Sequence, residues 1–232
     1  MSAARAALLL AACGAAALAA GPARVLVVTG GHSYQPSFYP LFEGHSDIDA
    51  TVDPHPMPYR RGDLRKRYDV LVLYDSVQEI AGEERKNLQD FIESGKGLVM
   101  LHHALVDYSD WQWWYEEVIG ARWLKQPGST KWKTTWKHDV VQKVYRVVDH
   151  PVTKGIERMD ILDETYKGMW LSPRIQVLLR TDDETSDGPV AWIGPYEKSR
   201  VVVIQLGHGR EAHLHPDYQR LVRNAILWSA GR

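Results

Sequence analysis

A single cysteine in 232 residues excludes a disulfide framework and a cysteine metal cluster. That residue, Cys13, precedes every segment that reads as folded, so it is excluded as a catalytic thiol of the domain. No charge sign dominates. Lys and Arg number 28 against 29 Asp and Glu, and the net charge of -1 gives no electrostatic signature of a nucleic-acid partner. The one basic cluster, Arg60, Arg61, Arg65, Lys66 and Arg67, reads as a solvated loop and helix face. No apolar run is long enough for a good membrane span. No internal repeat is present, and no HExxH motif marks a zinc hydrolase. What is present is ordinary soluble-domain composition, 44% hydrophobic and 25% charged, with ten histidines and nine tryptophans.

The first twenty residues read as an export signal. Met1 to Arg5 carries one positive charge, Ala6 to Ala12 is apolar, and small residues continue to Ala20. Ala17-Leu18-Ala19 offers an ordinary cleavage site. Leu10-Ala11-Ala12-Cys13-Gly14 resembles a bacterial lipobox, in which Cys13 would be lipidated, and the short apolar segment before it favours that route. The expectation is an exported protein, periplasmic or anchored to the membrane only through a lipid on Cys13. Residues 1–22 would be signal and linker, and residues 23–232 one domain.

Arg24 to Thr29 and Tyr68 to Tyr74 are continuous apolar runs, the pattern of strands buried on both faces. Glu83 to Ser94 reads as a helix, with Leu88, Phe91 and Ile92 on one face, and Gly97 to His102 as the next strand. Strand, helix, strand at this spacing implies a right-handed crossover in an α/β sheet. Tyr115, Val118 and Ile119 mark a short helix, and Lys143 to Val148 alternates like a half-exposed strand. Ile175 to Arg180, Val190 to Ile193 and Val201 to Leu206 are further strands, and Asp217 to Ala230 is a closing amphipathic helix.

Histidines stand at three strand ends: Gly30-Gly31-His32-Ser33-Tyr34, Leu101-His102-His103 and Leu206-Gly207-His208-Gly209. Sites in open parallel sheets form at the carboxyl ends of strands, so this shared position makes His32, His102 and His208 site candidates, with Tyr34 and His103 as substrate contacts. Strand alternation turns His103 away from His102 unless the chain bends between them. Asp163-Glu164-Thr165-Tyr166 adds carboxylates and a phenol for acid–base work or for orienting an imidazole; a helix cap or turn is the alternative for Asp163. His102, His208 and Glu164 also form a candidate ligand set for a divalent metal such as zinc. Among Trp111, Trp113 and Trp114, Trp113 is taken as the one lining a sugar pocket; the alternative is core packing.

Four segments, "GKGLVMLHHALVDY", "WWYEEVIGARW", "HPVTKGIERMDILDETY" and "PVAWIGPYEKSRVVVIQLGHGREAHLHPDYQRLVRNAILWSAG", resemble the ThuA-like (trehalose utilisation) family of the class I glutamine amidotransferase-like superfamily. The resemblance implies a flavodoxin-like three-layer α/β/α sandwich with a mostly parallel central sheet. It places His102 and His208 on the family's histidines, and Glu164 and Tyr166 on its D-E-x-Y pattern. His103 stands where serine is commoner in the family, which leaves a catalytic role there in doubt. His102 sits on the strand-turn-helix that carries the nucleophilic cysteine in the amidotransferases, so glutaminase chemistry lacks its thiol here. The family's association with sugar oxidation implies a carbohydrate substrate. It points to base-assisted elimination and hydration, or isomerisation, of 3-keto glycosides. His102 or Glu164 would serve as base, Glu164 or Tyr166 as proton donor, and His208 or a metal as oxyanion stabiliser. A non-catalytic carbohydrate-binding or scaffold module, and a metal-dependent hydrolase of another substrate, are the competing readings. Oligomeric state is not legible.

Overall fold

Two kinds of strand build this molecule, and both meet at the site. The computed structural model describes residues 21–129 and 131–232; Cys13 and the segment expected to act as an export signal lie outside the described residues. The strands are β1 Ala23–Gly30, β2 Ile48–Pro54, β3 Val70–Asp75, β4 Gly97–Leu101, β5 Ala121–Arg122, β6 Thr135–Arg146, β7 Arg158–Lys167, β8 Trp170–Leu171, β9 Gln176–Thr181, β10 Pro189–Ile193 and β11 Val201–Ile204. The helices are α1 Met57–Arg60, α2 Gly82–Glu93, α3 Arg210–His213 and α4 Pro216–Ser229. Nine strands form one sheet in the order β2-β1-β3-β4-β11-β10-β9-β6-β7, and β5 pairs with β8 apart from it. From β2 to β11 the pairings are parallel. From β11 outward to β7 they are antiparallel.

The parallel strands are apolar throughout because both of their faces are covered. Alternation sends Val25, Val27, Val70, Val72, Val99 and Val202 to one face, against Tyr218, Leu221, Val222 and Ile226 of α4. It sends Leu26, Val28, Leu71, Leu73 and Met100 to the other, against Leu88, Phe91 and Ile92 of α2. The result is the α/β/α sandwich that the resemblance implied. Glu83 and Glu84 sit in the first turn of α2, where the helix dipole favours negative charge. Among the described residues no helix is long and apolar enough to cross a membrane.

The antiparallel extension departs further from the sequence reading. The alternating stretch at Lys143 starts far earlier, at Thr135, as part of the 12-residue β6. Its partner β7 runs from Arg158 to Lys167, so Asp163, Glu164 and Tyr166 lie in a strand and Asp163 caps no helix. The β6–β7 register shifts between Lys137 and Val140, and Asp139 there takes a left-handed φ of 56°. A bulge of this kind bends a strand and re-aims its side chains.

Candidate active site

A cleft of about 320 Å³ opens at the carboxyl ends of the parallel strands. His32 follows β1, Ser76 and Val77 follow β3, His102 and His103 follow β4, and His208 follows β11. The antiparallel half closes the other side with Glu164 and Tyr166 from β7 and with Trp136 and His138 from β6. Five of the chain's ten histidines therefore face one space.

β4 ends at Leu101, and His102 leaves the extended conformation with φ 47°, opening a short 3-10 turn to Val106. That bend overturns the expectation for His103. Instead of pointing away, it lines the same cleft as His102, with the two rings 5.3 Å apart. Val77, at φ 55°, is a second non-glycine left-handed residue on the cleft wall. Such conformations are costly for a β-branched side chain and concentrate at functional sites.

Four polar side chains converge. His102 Nε2 lies 2.9 Å from Glu164 Oε2 and 3.1 Å from His208 Nδ1, and the Tyr166 hydroxyl is 2.9 Å from the same nitrogen. His208 Nδ1 is 3.2 Å from Glu164 Oε2. His102 Nδ1–H donates to the Gln205 carbonyl at 2.7 Å, which leaves Nε2 facing Glu164. A lone pair and a carboxylate oxygen at 2.9 Å hold together only when a proton or a cation stands between them. Burial works against ionising Glu164, but the hydrogen bonds from His102 and His208 outweigh it and hold the carboxyl well below the usual range. Its hydrogen bond to Glu164 in turn raises His208 above the ordinary imidazole value. Burial, reinforced by the Glu164 and Asp163 charges, pushes the Tyr166 phenol well up, so it remains a proton donor. Burial, with the neighbouring imidazoles, depresses His103 to about 2 and keeps it neutral.

The supports of this cluster are themselves buried and polar. Asp163 accepts backbone N–H groups from Gly207 (2.7 Å), His208 (2.9 Å) and Glu164 (2.8 Å), tying β7 to the turn after β11. The side chains of Gln142 and Gln205 both donate to the Glu164 carbonyl. Tyr74 donates to Gly207 O and Tyr218 to Leu206 O. Gly207 permits this turn. Its φ is 118°, and a Cβ there would lie 2.1 Å from the Tyr218 hydroxyl. Gly31 plays the same part below His32, where a Cβ would meet Ser76 O at 2.0 Å.

His102, Glu164 and His208 offer three ligand atoms within 4.8 Å of one another, all from buried or half-buried side chains. Two imidazoles and a carboxylate suit a divalent first-row ion such as zinc, and His102 has the backbone-anchored far nitrogen common to metal-ligating histidines. The donor set fits.

Two expected contacts stand elsewhere. Tyr34 packs on Phe38 and Tyr39, off the cleft lining, because its turn folds it back onto the first core layer. Trp113 packs between Trp111 and Tyr196 in a single π-helical turn, also off the lining. The cleft's tryptophans are instead Trp123, Trp132 and Trp136, and His138 joins them, its Nδ1 3.3 Å from Glu164 Oε1 and its ring 4.8 Å from His208. One signal could have found part of this set. Trp136 and His138 are two residues apart, so they share a face of any strand that contains them.

A model of the family described as "ThuA: Trehalose utilisation" matches residues 24–229. The chain belongs to the ThuA family. Its members fall in the glutamine amidotransferase-like superfamily, and the family description ties the chain to carbohydrate use. A ThuA-like protein from Parabacteroides merdae superposes with a TM-score of 0.75 at 17% identity, over 90% of both chains. One from Bacteroides uniformis gives 0.66 at 17% identity, over 90% of this chain and 92% of that one. A cytoplasmic protein from Salmonella typhimurium gives 0.61 at 14% identity, over 89% of this chain and 98% of that one. At these identities the structural likeness carries the fold alone. A search of the curated proteins finds no match to the chain.

Proposed function

We propose that this ThuA-family protein acts on 3-keto glycosides by base-assisted elimination and rehydration. The observation that carries the reading is the convergence of His102 Nε2, Glu164 Oε2, His208 Nδ1 and the Tyr166 hydroxyl at 2.9–3.2 Å, beside a wall of three tryptophans. A ketone at C3 acidifies the C2–H bond. Glu164 Oε2 takes that proton, and the bonding pair moves into an enolate whose negative oxygen is met by His208, whose protonated form Glu164 favours, and by Tyr166. The C1 substituent then leaves with its electron pair and takes up a proton, giving an enone and the free alcohol. Water adds at C1 and a proton returns to C2, for net hydrolysis. Stopping at the enolate and returning the proton on the other face gives isomerisation instead. Trp123, Trp132 and Trp136 offer faces for the sugar's C–H bonds.

A second reading has its own observation, the three-atom ligand set. His102, Glu164 and His208 would hold a divalent ion such as zinc. When bound, such an ion supplies Lewis-acid polarisation of a carbonyl oxygen, on a ketosugar or on another hydrolysable substrate. Tyr166 and His138 would then be among the cleft groups available to move protons.

One experiment separates these. Chelator-treated protein is incubated with 3-keto-trehalose, with and without added zinc, and glucose and residual ketosugar are quantified. Consumption without metal supports the first mechanism, and consumption only with metal selects the second. No consumption in either arm defeats the ketosugar assignment. We also propose export with lipidation at Cys13, from the lipobox alone. Mass spectrometry of the N-terminus from the membrane fraction tests it, and an unmodified Met1 terminus would count against it.

A further inference from the structure

The end of the sheet opposite the cleft is basic. The parallel strands β1, β3, β4 and β11 all start there. Arg24 donates to the Asp69 carboxylate and to the Lys66 carbonyl, and Lys96 donates to the same carboxylate. The Ser199 hydroxyl donates to the Lys96 carbonyl, and Leu98 N–H donates to the Arg200 carbonyl. The segments that lead into these strands therefore form one continuous face, and Asp69, Lys96, Glu197, Lys198 and Arg200 rim a shared hollow of about 510 Å³ on it. Six cations stand on this face: Arg24, Lys66, Arg67, Lys96, Lys198 and Arg200, all exposed except the half-buried Lys96. They are opposed by three carboxylates, Asp69, Glu93 and Glu197. Arg65 nearby is matched by Asp63, and Arg223 by Asp47. The whole chain carries a net charge of -1, and among the described residues no Lys or Arg lines the cleft, so the positive charge is a property of this end.

We propose that this face rests on an anionic membrane surface, so that the anchored protein holds its cleft away from the bilayer. The inference rests on lipidation at Cys13 and deepens it by fixing the orientation of the domain. Gly21, the first described residue, lies at the same end, its carbonyl held by the Arg232 guanidinium. Cys13 stands eight residues before it, a span of at most about 28 Å. From Ala23, β1 climbs about 23 Å to Gly30 and the cleft turn beyond it. The tether limits how far the domain can stand from the lipid, and the charge selects which face meets the headgroups. A soluble acidic partner would satisfy the charge equally well, but only the bilayer is brought to this end by the anchor.

The test uses the full chain, expressed in a bacterial host, purified from the membrane fraction and reconstituted in vesicles of phosphatidylcholine alone or mixed with phosphatidylglycerol. Acylation occupies Cys13, so a fluorophore on Ser94→Cys reports the basic end and one on Gln35→Cys reports the cleft end. Nitroxide-headgroup lipid should quench the label at position 94 far more than the label at position 35 when phosphatidylglycerol is present. The difference should be lost on phosphatidylcholine alone and in high salt. It should also be lost when Lys66→Glu and Lys198→Glu are combined, with the urea midpoint unchanged because both side chains are exposed. Should that variant misfold, the salt and lipid dependence of the parent protein decides. Equal quenching at the two positions, or a signal at position 94 indifferent to phosphatidylglycerol, in protein whose Cys13 is acylated overturns the inference while lipidation stands. A free Cys13 thiol, read by mass spectrometry of the same preparation, removes the anchor and the inference with it.

Discussion

The two halves of the sheet each bury a pair of carboxyl groups, and one of the four, Glu164, is shifted oppositely to the rest. In the parallel half, Asp75 at the end of β3 faces Asp107, which follows the His102 turn, and no cation stands beside them among the described residues. Burial raises Asp75 to about 7, and burial with the Asp75 charge drives Asp107 well up, so the pair holds a shared proton. That pair acts as a staple: Asp107 accepts the Gln78 N–H at 2.7 Å and so secures the loop that carries Val77 to the cleft. In the antiparallel half, Asp163 receives three backbone N–H groups and Glu164 receives imidazoles. Glu164 stays ionised although it is buried. Burial alone therefore does not set the charge of a carboxyl group: it raises Asp163 in spite of three backbone N–H donors, whereas the imidazoles overcome it at Glu164. One pair is scaffold, and the other is chemistry with its own support.

The largest effect should come from neutralising the ionised member. Glu164→Gln is expected to lower turnover of 3-keto-trehalose about a thousandfold and also to lower stability at neutral pH, read by steady-state kinetics and urea unfolding. Asp163→Ala should instead cost about 3 kcal/mol of stability, because three buried N–H groups lose their acceptor at once. Gly207→Ala forces a side chain into a left-handed conformation and against Tyr218, at a cost of about 2 kcal/mol. The same change in a Tyr218→Phe background should cost less, since the clashing hydroxyl is gone.

The pH dependence of stability should separate the pairs. The Asp75–Asp107 pair keeps a proton that the unfolded chain has released, so stability should fall as pH rises from about 4 through about 7. Asp75→Asn, whose amide donates without titrating, should flatten that slope in urea midpoints taken at pH 5 and pH 8. Glu164 has the opposite sign. Its depressed value gives stability present above the unfolded carboxyl range and lost on acidification, and Glu164→Gln should flatten the acid limb instead. The smallest effect is reserved for His138, half-exposed on the bulge. His138→Gln should change stability by less than about 0.5 kcal/mol while lowering activity about tenfold, which marks a cleft role without a structural one.

The parallel half is the legible half. Runs such as Val25 to Thr29 and Val70 to Tyr74 are apolar because both faces are covered, and that condition is written residue by residue. Their ends can be located from the chain, so His32, His102 and His208 stand out as candidates without any contact being known. The antiparallel half is obscure. β6 is exposed along most of its first part, β7 pairs with it across a bulge, and neither pattern announces a strand. His138 and Trp136 therefore escape a reading of the sequence. Trp113 is a candidate only through its closeness to the double histidine along the chain, which does not translate into closeness in space.

The family, the layered α/β architecture and the strand ends at which a site would form are all written in the chain, because periodicity and local apolar runs encode burial on a covered sheet. Which groups share that site is a property of the folded molecule. His103 enters the cleft because the backbone reverses at His102, and Glu164 becomes an ionised partner of two imidazoles because a long-range pairing lays β7 beside the turn after β11. Those outcomes depend on a left-handed residue, a bulge and contacts between segments far apart in the chain, none of which leaves a local trace in the sequence.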